Sequence, residues 1–189
     1  WDTVVAAERE DELEMLLAAA KREPVEALCA TVQAAGFEPR QVLPSCQATL
    51  AAFRLVHGLP KEPVIVINLG SRSTLLLQVT DRRFTARSLA LGTRHIRRET
   101  EEQSDHVALD VIVTRLAQEI TRSVLHFRRL GGPDKPTRVH LTGGGARLSG
   151  LGEALAAKIK VPVARLDLSG SIEIGGGVDF RDAIGIDGV

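Results

Sequence analysis

The 189-residue sequence contains no tyrosine, a single tryptophan and only 3% aromatic residues. An aromatic stacking platform for nucleic acid and an aromatic-lined carbohydrate groove are therefore not expected. Net charge is missing too, because 24 Lys+Arg balance 24 Asp+Glu. With no global basic field, no nucleic-acid partner is expected, and any contact with an anionic membrane would be local. Two cysteines, Cys29 and Cys46, offer one bridge at most, on which a domain of this size rarely depends. Cys29 falls on the apolar side of a helical pattern and reads as a small buried hydrophobe. No apolar run reaches the length of a membrane span and no secretory segment is visible, so a reducing, cytoplasmic setting is expected. The chain starts at Trp1 in what reads as a strand, the expectation for a fragment with residues missing upstream.

At 20.4 kDa, with 44% hydrophobic and 25% charged residues, the composition suits one ordinary globular domain or two small ones. Thr3–Ala7 and Leu13–Ala20 are apolar stretches around the charged patch Glu8–Glu12, a hairpin pattern for which helix is the competing reading. From Glu23, apolar Val25, Leu28, Cys29 and Val32 recur at helical spacing, with Pro24 suited to the first turn and Gly36 to a C-terminal cap. Pro39 and Pro44 bracket a short extended piece at 41–43, and Ser45 opens a second helix that stops at Gly58 and Pro60. The best internal boundary is Gly58–Pro63, giving a small α+β subdomain over 1–60 and a larger one over 61–189.

In the larger part, the β-branched run Val64–Ile67 and the apolar run Leu75–Val79 read as buried strands, with a third at 84–91. Leu109, Ile112, Val113, Leu116, Ile120, Val124 and Phe127 keep one face of a long helix that ends at Gly131-Gly132-Pro133. A strand at Val139–Thr142, a helix at 151–159 and a strand at 161–166 follow. The order β-β-β-α-β-α-β predicts antiparallel strands first, then parallel ones alternating with helices.

Two glycine-bearing turns are the places for chemistry. In Asn68-Leu69-Gly70-Ser71-Arg72-Ser73-Thr74, main-chain N–H groups and hydroxyls suit phosphate oxygens and Arg72 adds a cation; an ordinary polar hairpin turn is the plainer reading. In Leu141-Thr142-Gly143-Gly144-Gly145-Ala146-Arg147, three glycines are costly in backbone entropy, which either a closely approaching ligand or a tight strand-to-helix turn would justify. No GxGxxG or Walker loop is present, which speaks against a Rossmann site and a P-loop enzyme. Gly175–Gly177 reads as a flexible connection. The histidines at 57, 95, 106, 126 and 140 are too far apart in sequence for a local metal pair, and no zinc site is expected. Arg94, Arg97 and Arg98, followed by Glu99, Glu101 and Glu102, read as a solvated, self-neutralising face.

Taken together, the strand order and the two turns resemble the second half of the actin-like ATPase superfamily, with a ribonuclease H-like subdomain. Val64–Thr74, Leu116–Ser123 and Val139–Leu151 are similar in particular to the PilM-like proteins of type IV pilus assembly, and Met15–Arg22 with Val32–Pro39 looks like the small subdomain preceding that half. The resemblance implies that Gly70, Ser71, Arg72 and Thr74 surround the β- and γ-phosphates of ATP with Mg²⁺. It places Gly143, Gly144 and Gly145 beside the adenosine, with Arg147 bordering the pocket. It also implies a cytoplasmic adaptor on the inner face of the inner membrane, peripheral to it through a PilN-type partner whose tail the small subdomain receives. Three departures bear on catalysis: the first phosphate loop, expected upstream, is not in this sequence, Asn68 stands at the family's usual acidic position, and the lid region after Gly92 is short. Weak or absent ATP hydrolysis and no tight ATP binding by this fragment are expected, an active ATPase and the cytoplasmic domain of a type II secretion platform protein being the alternatives.

Overall fold

The computed structural model describes residues 2–9, 12–94, 105–129 and 135–171. The expectations for Gly131-Gly132-Pro133, for Arg97 to Glu102 and for Gly175–Gly177 lie outside them. The chain divides into two compact units, Trp1–Ala48 and Thr49–Val189.

In the first unit, β1 (Asp2–Arg9) and β2 (Glu12–Ala18) form an antiparallel hairpin running from Asp2↔Ala18 to Arg9↔Glu12, with an irregularity between Val5 and Ala7. Hairpin, not helix, is thus the outcome for this stretch. Helix α1 (Arg22–Ala34) follows. It ends at Gly36, whose φ of +85° suits only glycine without strain and whose N–H donates to Gln33 O. No residue of α1 is buried, and Cys29, expected inside, is half-buried. Residues 37–44 take no regular structure.

Helix α2 (Ser45–His57) holds the division between the units, which falls after Ala48 rather than at Gly58–Pro63. The reason is burial: Thr49, Leu50 and Phe53 are buried, and the Phe53 ring lies against a sheet residue, His140. The helix stops at Gly58, where φ is +69° and the N–H donates to Arg54 O.

The second unit is built on a five-stranded sheet. Its strands are β3 (Val64–Leu69), β4 (Thr74–Val79), β5 (Phe84–Leu89), β6 (Arg138–Thr142) and β7 (Val163–Arg165), in the order β5-β4-β3-β6-β7. The first three form an antiparallel meander, and β3–β6 and β6–β7 pair in parallel, as the element order requires. Alternation along β3 separates two faces. Ile65, Ile67 and Leu69, with Leu76, Val139 and Leu141, pack on α3 (Asp105–Arg129) through Ile112, Val113, Leu116 and Ile120 and on α4 (Leu151–Ile159) through Leu151 and Leu155. Val64, Val66, Leu77 and Val79 face the other way and are buried as well, which is why β3 is an unbroken apolar run rather than an alternating one. At the α3 face, Arg87 donates to Ser123 Oγ and pairs with Glu119, fixing β5 to the helix.

Candidate functional site

Parallel pairing sets the site. Asn68 on β3 is opposite Thr142 on β6, so the turns that follow these two strands leave from the same end of the sheet. Open sheets bind ligands beyond the carboxyl ends of parallel strands, and both glycine turns lie there.

The β3–β4 tip is tied down by its own backbone and by the segment after β5. Gly70 N–H donates to Ser73 O (3.0 Å), Thr93 N–H to Gly70 O (3.0 Å) and Arg94 N–H to Ser71 O (2.9 Å). The buried Thr74 hydroxyl donates to Leu91 O at 2.6 Å and is thereby committed to the fold. Gly92 is buried so close beneath the tip that a Cβ there would overlap the carbonyl of Ser71 and the backbone of Arg72. Ser71, Arg72 and Ser73 remain exposed, and among the described residues their N–H groups have no partner.

At the β6 tip the three glycines differ. Gly143 has φ 82° and ψ 170°, a region essentially restricted to glycine, and a Cβ on it would meet Leu69 O at 2.7 Å and crowd Asn68 Oδ1. Gly145 is buried against the Leu69 side chain and Thr93 Cγ2. The two tips are therefore in contact through Asn68, Leu69 and Thr93. Gly144 is exposed, has no positive φ, and a Cβ on it would meet nothing within 4 Å. A single 3-10 turn, Gly144–Arg147, then leads toward α4 and leaves Arg147 exposed. Neither Arg72 nor Arg147 joins an ion pair among the described residues.

Asn68 is half-buried beneath Gly143, and its Nδ2 donates to Thr49 Oγ1 of α2 at 3.4 Å. The candidates thus separate by surroundings. Ser71, Arg72, Gly143, Gly144 and Arg147 face solvent at one end of the sheet, whereas Asn68, Thr74 and Gly145 are turned to the protein. Thr49, Gly92 and Thr93 complete this end, and no local motif in the sequence marks them.

Further along the α2 side, residues distant in sequence also meet: the ring centroids of His57 and His140 are 4.5 Å apart, and Phe53 is 5.2 Å from each. Burial, aided by His57 and Arg138, pushes the pKa of His140 down to about 4.

No family model and no curated protein matches the chain. Solved structures do. A chain of the PilM-PilN type IV pilus biogenesis complex aligns over 97% of this chain and 60% of its own length, at 21% identity and a TM-score of 0.75. MreB 5 of Spiroplasma citri, bound to AMPPNP, aligns over 79% of this chain and 61% of its own, at 12% identity and a TM-score of 0.56. The fold is actin-like, as the strand order and paired turns implied. The sequence spans about three-fifths of the length of either structure. Among the described residues no helix is long and apolar enough to cross a membrane.

Proposed function

We propose that this chain is the nucleotide-contacting and partner-receiving part of a PilM-like adaptor of type IV pilus assembly. In this reading the complete protein lies at the cytoplasmic face of the inner membrane, peripheral to it through the tail of a PilN-type protein. ATP with Mg²⁺ serves as a structural or regulatory ligand. The observation that carries the nucleotide part is the junction of the two glycine turns at one end of parallel strands, with Gly144 left open. Neither packing nor φ demands glycine there, and a flat ligand approaching the backbone does.

The residues present fit such a ligand in part. Exposed N–H groups at Ser71, Arg72 and Ser73 would hold phosphate oxygens, with Arg72 supplying charge. Gly143, Gly144 and Arg147 would border the nucleoside. ATP itself would supply a polyanion that bridges the two turns. Asn68 brings no negative charge to the site and its amide is engaged with Thr49, which supports a ligand role rather than rapid turnover. The adaptor part rests on the actin-like fold together with the resemblance of Val64–Thr74, Leu116–Ser123 and Val139–Leu151 to PilM-like proteins.

The test is a titration of the complete protein with a labelled N-terminal tail peptide of a PilN-type protein, with and without Mg-ATP, alongside phosphate release. Saturable peptide binding that responds to nucleotide, with slow release, is expected. No binding of the tail under either condition removes the adaptor reading, and brisk release removes the ligand-only role of ATP.

A further inference from the structure

The sheet face turned toward α2 carries a cluster that the glycine-lined end does not use. Phe53 and His57 stand one turn apart on α2, and His140 sits in the middle of β6. All three ring centroids lie within 4.5–5.2 Å of one another, with His140 edge-on to Phe53 at 67° and His57 tilted by 52° to His140. His140 is only 5% exposed, and its Nδ1 is buried with no hydrogen-bond partner. Its neighbours across the strands are Val66 on β3 and Ala164 on β7, neither of which carries charge. The charged or titratable groups that act on it are His57 from α2 and Arg138 from its own strand, so what surrounds it favours an uncharged ring.

While His140 is neutral, the rings pack as aromatic surfaces in tilted and edge contacts, which are favourable. A proton on His140 Nδ1 places a cation in a buried site where that atom has no acceptor and the Arg138 charge opposes it. We propose that Phe53, His57 and His140 form an acid-released latch that holds the second half of α2 on the sheet. Among the described residues α2 is hydrogen-bonded to the sheet at Thr49, about two turns earlier, by the 3.4 Å bond from Asn68, so the His57 end of the helix is held by ring packing and not by a hydrogen bond to the sheet. The latch does not depend on nucleotide or on any partner.

Amide hydrogen exchange of the full chain at about pH 7.5 and about pH 5, corrected for intrinsic exchange, reads the device directly. Protection across residues 49–57 is expected to fall roughly tenfold or more at the lower pH, and at both pH values β3 is expected to stay the better protected of the two. His140→Phe keeps an aromatic surface and removes the proton site, so its protection of α2 should be independent of pH. His57→Gln keeps a polar residue at the exposed helix end and should shrink the effect, and it serves as the test should His140→Phe fail to fold. Protection of α2 equal to that of β3 at both pH values, or an undiminished pH response in the variants, overturns the proposal.

Discussion

Helices α1 and α3 carry apolar residues at the same three-and-four spacing and meet opposite surroundings. In α3, Ile112, Val113, Leu116 and Ile120 are buried, because Ile65, Ile67 and Leu141 offer an apolar sheet surface to that stripe. In α1, no residue is buried and Leu28 is 54% exposed. Helical period thus identifies the face that favours cover; a complementary surface elsewhere in the chain supplies it. The strongest way to break this comparison is to truncate both stripes. Leu116→Ala, at a fully buried position, should cost about 2–5 kcal/mol in urea unfolding followed by circular dichroism. Leu28→Ala should change stability by no more than about 0.5 kcal/mol, since little burial is lost and alanine is a good helix former. Equal losses would mean that α1 is covered after all.

The same contrast between covered and open positions recurs inside the glycine run, with smaller energies. Gly143 is held by a positive φ and by Leu69, so Gly143→Ala should cost about 1–3 kcal/mol of stability. Gly144→Ala meets nothing within 4 Å and should leave the urea midpoint within about 0.5 kcal/mol of the parent. If Gly144 is kept open for a ligand, the same substitution should still weaken Mg-ATP binding to the complete protein, measured by titration with a fluorescent analogue. Unchanged affinity would assign all three glycines to the turn.

These contrasts also show how far the sequence carries. The element order and the change from antiparallel to parallel strands followed from local signals, the unbroken run Val64–Ile67, the apolar period of α3 and glycine directly after a strand, and the junction of the two turns followed from the resemblance. What it did not disclose depends on pairs far apart in the chain. Thr49 and Asn68 are separated by a helix end and a proline-rich linker, and His57 and His140 by four intervening elements, so no window of sequence holds either pair. Gly58–Pro63 has the composition of a boundary, yet burial of Leu50 and Phe53 groups the second half of α2 with the sheet. Composition reports where the backbone turns; burial reports which elements belong together.

A covered histidine sharpens the comparison through pH. His140 has a folded-state pKa near 4 against an ordinary value of 6.5, so between those values the unfolded chain binds more protons than the folded one. Its neutral form therefore contributes stability that is complete above about pH 6.5 and is lost as pH falls toward 4. Urea midpoints across that window should record a decline of about 1–2 kcal/mol after allowance for solvent screening. His140→Phe should flatten the curve, whereas a slope that survives in the variant would assign the acid lability to carboxylates elsewhere.

A smaller effect on stability than that of the buried histidine falls on Asn68, which lies between the covered and the open side. Its Nδ2 donates to Thr49 while its Oδ1 is next to Gly143. In Asn68→Asp the Thr49 hydroxyl has to reverse and donate to a carboxylate, which keeps one hydrogen bond but places a charge in a half-buried site. A loss of about 1 kcal/mol or less is expected, because the bond is long and its net worth small. The consequence for chemistry is larger than that for folding. In the proposed nucleotide role a carboxylate at this end of the sheet would supply negative charge to help retain Mg²⁺ and position water, and charge-assisted hydrogen bonds are roughly twice as strong as neutral ones. Phosphate release by the complete protein and by Asn68→Asp at saturating Mg-ATP distinguishes the two roles. Slow release in the parent with a gain in the variant would identify the missing charge as the limit on turnover. Slow release in both, with lower stability in the variant, would identify Asn68 as a strut between α2 and the glycine turn.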